Sequence, residues 1–298
     1  MNSPFHEGMI WDINKYIIPW LNDVGKNIQG KYGENAVDLA KGIDSTGTPI
    51  MKVGEKSIRA DCSYSYVPAR TVLPGLVVEV SWSGPPMKLR RKAIECIQES
   101  SGEIRTVVGF DFSGTFATWE KIMDQWDRTG MPQRGPACVI VWRAVFDRKT
   151  GQISLDGEGL PKMTESTYVF CDENGEANLE VRLGLKLQDV ISERVLRDKK
   201  INRRELRDVE LVIDSPTLLG FFDKQLERQK THDDATRPER EQEEAEEHAK
   251  KEKANARRKV KQEKERINVP AIKHWVRKHT YKLRLTKARQ QRTTSTHK

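Results

Sequence analysis

Histidine is almost missing from the body of this chain: His6 stands alone before residue 232, and only six occur in 298 residues. A mechanism centred on an imidazole within the fold therefore has almost no material, and no Ser-His-Asp or Cys-His set offers itself. Cysteine is as scarce. Cys62, Cys96, Cys138 and Cys171 lie far apart, form no C-x-x-C pair and have no histidine at zinc-ligand spacing. That argues against a structural zinc and against a disulfide scaffold. No apolar run nears the ~20 residues of a membrane span, so no membrane association is expected. The opening MNSPFHEGMIWDINKY carries acids early and has no basic stretch before an apolar one, unlike a secretory signal. Gly8, Gly25, Gly30 and Gly33 build neither G-x-x-x-x-G-K-[ST] nor a G-x-G-x-x-G after a strand, which excludes nucleotide binding by those motifs. An intracellular protein is the expectation.

What is present divides in two. The net charge of +8 comes from 52 Lys and Arg against 44 Asp and Glu, but residues 224–298 hold 23 of those cations and 12 of the acids. That segment is +11 and residues 1–223 are −3. The basic character belongs to an appendage, not to the surface of a fold. A mean hydropathy of −0.71 fits a chain of which a part is not core. We therefore expect an α/β domain over 1–223, with added strands after about 135, and a charged, mostly basic extension over 224–298.

Periodicity fills in the first part. Ile10, Ile13, Ile17 and Leu21 recur at three- and four-residue steps and predict a helix over 5–24, with Pro19 set to kink its last turn. A short helix follows near 35–40. MKV, SIRADCSYSYV and GLVVEVSW read as three strands, rich in Val, Ile and Tyr. Pro85-Pro86 opens the next helix and Ser100-Ser101-Gly102 ends it. EIRTVVGFDF is another strand, a helix follows over 118–128, and ACVIVWRAVF is the strongest strand signal of all. The pattern pairs ACVIVWRAVF with GQISLDG through a turn at 147–150. Asn174-Gly175 predicts a hairpin between STYVFCD and ANLEVRLGL. DVELVID and a helix capped by Ser215-Pro216 close the domain. The fold class is a mixed sheet flanked by helices.

One short region gathers chemistry. Asp61 sits in IRADCSYSYVP and Glu79 in PGLVVEVSW, and the basic helix KLRRKAIECI follows at once. Strand alternation puts Glu79 on a face with Val77, where a carboxylate between valines is expensive unless something compensates it. If the two strands are antiparallel neighbours, Asp61 and Glu79 approach each other, and a divalent cation relieves the repulsion of two such acids. Taken alone, two acids among 44 also fit the solvent face of a half-exposed sheet.

This arrangement resembles the PD-(D/E)XK nuclease superfamily, whose restriction-endonuclease-like fold places a helix before a hairpin carrying Asp and then Glu-x-Lys, with a helix and strand after it. The resemblance covers about residues 5–112 and rests on element order more than on identities. It implies a Mg²⁺-dependent endonuclease acting on DNA, with Asp61 and Glu79 as metal ligands and Glu7, in FHEGMIWDINKYI, as an extra acid from the first helix. Ala60 precedes Asp61 where the family has proline, and Ser81 stands at the usual lysine position. The branch with a displaced lysine suggests Lys92 as the substitute, with Lys88 one turn earlier.

The tail has its own signals. An acidic block, Glu239–Glu247, precedes a basic one, and from residue 248 there are 18 Lys and Arg against three Asp and Glu. The segment reads as a long solvated helix of coiled-coil type or as a disordered stretch. Lys250, Lys251, Arg257, Arg258, Lys259 and Lys261 are the candidate contacts to nucleic acid, DNA in the first instance. The same run fits a nuclear-import address, which favours the nucleus over the cytoplasm. Trp275 and Tyr281 suit base stacking or anchoring on the fold. A second reading keeps the fold without catalysis and assigns binding of nucleic acid or protein to the tail. A homodimer is left open.

Overall fold

A computed structural model gives the fold and describes residues 3–69, 73–147 and 150–294. By internal contacts the chain divides into a first unit, Met1–His232, and a second, Asp233–Lys298. The elements in order are α1 (Pro4–Lys26), α2 (Glu34–Gly42), β1 (Ile43–Gly47), β2 (Ile50–Val53), β3 (Lys56–Arg59), β4 (Cys62–Tyr66) and β5 (Leu76–Ser81). Then come α3 (Pro86–Glu99), β6 (Thr106–Asp111), α4 (Ser113–Ala117), α5 (Trp119–Thr129), β7 (Ala137–Ala144) and β8 (Met163–Cys171). Finally come β9 (Arg182–Lys186), α6 (Glu193–Asp198), β10 (Glu210–Asp214) and α7 (Ser215–Thr294).

A six-stranded mixed sheet runs β1-β4-β5-β6-β7-β8. Every neighbouring pair is antiparallel except β5 and β6, which run parallel from Leu76↔Thr106 to Ser81↔Asp111. Parallel neighbours need a crossover, and α3 supplies it. Pro86 at its first position and an apolar stripe of Leu89, Ala93, Cys96 and Ile97 lay it on one face of the sheet, against Val77, Val107 and Trp142. The other face packs on α1. Ser3 caps that helix by accepting the His6 amide, and Phe5, Met9, Ile13, Ile17 and Leu21 are all buried. Pro19 is accommodated within the helix, which continues to Lys26.

Aromatic contacts fix the first turn of α1. Phe5 stacks on Trp82 at 4.1 Å between ring centroids and meets Phe112 edge-on at 4.8 Å; Phe222 of α7 stacks on Phe112 at 5.1 Å. Such pairs add about 0.5–1.5 kcal/mol each beyond the area they bury. The Phe5 amide donates to Gln229 Oε1 at 3.2 Å, and Gln225 Nε2 donates to the buried Asp12. The two ends of the first unit are thereby joined. Gly75, before β5, sits where a Cβ would run into the backbone of Val190 and Ile191.

Three expected pairings differ. SIRADCSYSYV is not one strand: β3 pairs with β2 in a two-stranded sheet, while β4 joins the main one. The break falls at Ala60-Asp61 because the Asp61 side chain itself accepts the Val80 amide, taking the place of a ladder bond. β7 pairs with β8 over eight positions; with GQISLDG it keeps one bridge, Phe146↔Ile153. Arg148 and Lys149 of the expected turn lie outside the described residues. The hairpin expected at Asn174-Gly175 is likewise reduced to the bridge Cys171↔Ala177. Asp172 closes that turn by accepting the amides of Asn174 and Glu176, and β9 pairs instead with β10, where Leu183 and Leu185 face Ile213 and Leu211. β1 and α6 are further elements that the sequence pattern did not announce.

α7 is helical throughout its described length, through Pro238 and Pro270. In the second unit its described side chains are exposed for the most part, and many of them are charged. No helix among the described residues is long and apolar enough to cross a membrane.

Candidate functional site

Pairing Cys62 with Val78 across the antiparallel β4–β5 ladder puts Asp61 and Glu79 opposite each other at its end. Alternation along β5 sends Leu76, Val78 and Val80 into the α1 face and Val77 and Glu79 toward α3. Glu79 is 2% exposed. Lys92, at the middle of α3, donates to Glu79 Oε2, whereas Oε1 is buried and receives no hydrogen bond. Asp61 Oδ2 accepts the Val80 amide at 2.9 Å and lies 3.0 Å from His6 Nε2. All four side chains line one cavity of about 690 Å³, with Lys88, Ser81 and Trp82 at its wall and Gln229 and His232 contributed by α7.

The two acids are driven apart in acidity. Burial pushes Glu79 well above the usual carboxyl range, the negative charge of Asp61 and a hydrogen bond with its carboxylate add to the effect, and Lys92 opposes it. Burial also pushes Asp61 up, but the hydrogen bond and charge of His6, the Val80 amide and Lys92 outweigh it and hold Asp61 below its ordinary value. One acid thus favours its neutral form and the other its charged form, as expected for two carboxylates sharing a site.

The Glu79 shift has a consequence for stability. A carboxyl whose folded value is raised stays protonated in the native state while the unfolded chain ionises, so stability declines as pH rises from the ordinary carboxyl range toward the folded value. The decline is about 1.4 kcal/mol per pH unit within that window. Glu79→Gln, which mimics the neutral acid, is expected to match the parent within the ordinary carboxyl range and to exceed it increasingly as pH rises above that range. Urea unfolding at a series of pH values without added metal measures this; a constant difference between the two proteins contradicts it.

Of the residues singled out from sequence, Asp61, Glu79 and Lys92 come together, and Lys88 lines the same cavity. Glu7 does not. It is exposed on α1 and outside the lining, because one residue is 100° of helical turn, and His6 takes the inward position. His6, Gln229 and His232 went unassigned from sequence. The only local signal was the Ser3-Pro4 cap, which fixes the phase of the first turn. In the second unit Lys250, Arg257, Arg258 and Lys261, with Lys253, line a shallow concavity of about 490 Å³. Lys251 is paired with Glu247 at 2.7 Å, and Lys259 is exposed outside that concavity. Trp275 and Tyr281 are exposed, and Trp275 stacks on His279 at 4.1 Å.

Among the described residues no three His, Cys, Asp or Glu side chains form a group able to hold a metal ion. The pair Asp61 and Glu79 is what the fold offers, with a buried carboxylate oxygen that lacks a donor. Two carboxylates, the balance being water and substrate oxygen, are a usual protein contribution to Mg²⁺. No family model matches this chain, and neither a curated protein nor a solved structure does.

Proposed function

We propose that this chain is a Mg²⁺-dependent endonuclease of the PD-(D/E)XK kind, with the motif lysine displaced, that hydrolyses phosphodiester bonds in DNA. The observation that carries the reading is a cavity with two signs: Asp61 and Glu79 on its sheet side, Lys92 and Lys88 from α3 beside them. The order α1, β4, β5, α3, β6 supports it. Asp61 and Glu79 would hold the ion. Bound Mg²⁺ would supply an acidified water and neutralise charge on the phosphoryl group. Lys92 keeps Glu79 ionisable and offsets developing negative charge, a role that a lysine two residues after the glutamate would otherwise fill. Lys88, exposed at the wall and without an ion pair among the described residues, suits a substrate phosphate. The six basic residues of the tail would hold the DNA backbone, and the same run would direct the protein to the nucleus.

Nicking of supercoiled plasmid, with and without Mg²⁺, tests the reading. Lys92→Met is expected to lower the metal-dependent rate about 10²-fold. Nicking that is independent of metal, or unchanged in that variant, removes the proposal.

A second reading is favoured by Ser81 at the lysine position and by the pairing of Lys92 with Glu79, which spends the charge catalysis would need. The fold then survives without cleavage and the tail binds nucleic acid. It requires salt-sensitive DNA binding with no Mg²⁺-dependent product.

A further inference from the structure

The strongest feature not used above is His6. It occupies the third position of α1, and its side chain is 13% exposed. Three contacts fix the turn that carries it: Ser3 Oγ accepts its amide at 3.2 Å, the neighbouring Phe5 amide donates to Gln229 Oε1 at 3.2 Å, and Phe5 stacks on Trp82. The backbone that carries the ring is thereby fixed.

What it holds is one oxygen. Apart from its hydrogen bond with Glu79, the contacts of the Asp61 carboxylate with proton donors, the Val80 amide at 2.9 Å and His6 Nε2 at 3.0 Å, fall on Oδ2. A carboxylate on a strand end turns about its last bond at little cost. Two donors on one oxygen remove that freedom and commit the other oxygen to the cavity. His6 Nδ1 is buried and without a hydrogen-bonding partner, so the imidazole is oriented from the Nε2 side alone.

We infer that His6 is a positioning residue for Asp61: together with the Val80 amide it pins Oδ2 and presents Oδ1 as the single oxygen available to a divalent cation. The inference rests on the metal site proposed above and adds to it a group that acts through the ligand without touching the ion. Partners of this kind, donating to a ligating carboxylate, set metal affinity by about 10–100-fold.

Mn²⁺ titration of the full chain followed by electron paramagnetic resonance tests this, with no cleavage assay needed. His6→Ala is expected to weaken Mn²⁺ about 10–100-fold. His6→Gln, whose amide can still donate toward Oδ2, recovers most of the loss, and both variants keep the parent's preference between Mn²⁺ and Zn²⁺. Unchanged affinity in His6→Ala overturns the inference and leaves the metal site standing. Failure of His6→Gln to recover, with selective loss of Zn²⁺, makes His6 itself a ligand and overturns it too. A parent protein that takes up no Mn²⁺ removes the nuclease reading and the inference together.

Discussion

Asp61→Ala is expected to lose Mg²⁺-dependent plasmid nicking by about 10³-fold, the order of effect when a preorganised charge-stabilising group is taken away, while binding the same plasmid as well as the parent does. Several functions fall with this one side chain. It is one of two acids available for a cation, it accepts the Val80 amide that closes the end of the β4–β5 ladder, and it engages His6. Leaving the amide unmet costs about 1–3 kcal/mol of stability, so the alanine variant mixes chemistry with folding. Asp61→Asn separates them: its carbonyl still accepts from Val80, but the negative charge is gone. Loss of nicking in Asp61→Asn with an unchanged urea midpoint isolates the charge as the cause. Nicking at the parental rate in the Asn variant would falsify the assignment.

The second large effect belongs to the other unit. Replacing Lys250, Lys251, Arg257, Arg258, Lys259 and Lys261 together by Gln is expected to reduce the slope of log affinity against log salt by about five, and affinity near 0.1 M salt by about 10³–10⁵-fold. Gln keeps helix propensity close to that of Lys and Arg, so the helix itself should persist. The existing partners of this run are weak competitors. Lys250 lies 3.8 Å from Glu246 and Lys251 2.7 Å from Glu247, all four exposed, and such pairs contribute little against a phosphate. Filter binding of duplex DNA over a salt series reads both quantities. An unaltered slope would mean that the run is a solvated helix and nothing more.

How much of this was legible beforehand depended on the reach of each interaction. α1 and α3 write themselves in local periodicity, since each buries one stripe against the sheet, and β5 reads as an apolar run because both its faces are covered. Asp61 and Glu79 were readable as a pair because only the short β4–β5 connection separates them. Lys92 was readable because α3 follows β5 at once. Glu7 falls outside the cavity, since local pattern does not set the phase of a helix's first turn. Ser3 and the distant Trp82 set it. Gln229 and His232 reach the cavity from well over a hundred residues beyond its acids, and nothing near them announces it. The break at Ala60 was hidden for a different reason: SIRADCSYSYV has strand composition throughout, and only the capture of the Val80 amide by Asp61 divides it. The partners expected for β7 and β9 differ from those in the structure, because a strand's composition says that it pairs and not with which strand.

The bond between the Phe5 amide and Gln229, spanning 224 positions, also bears on when the protein becomes competent during its synthesis. Domains assemble as their sequence leaves the ribosome, amino end first, and contacts of such separation wait for the last participating segment. The β4–β5 ladder and α3 can form on the nascent chain, but Gln229 and His232 complete the cavity only after the start of α7 has emerged. A chain still tethered to the ribosome, surrounded by RNA phosphates, therefore carries its two acids in an unfinished setting. On the proposed reading, cutting would wait until the start of α7 has emerged and Gln229 has met the Phe5 amide.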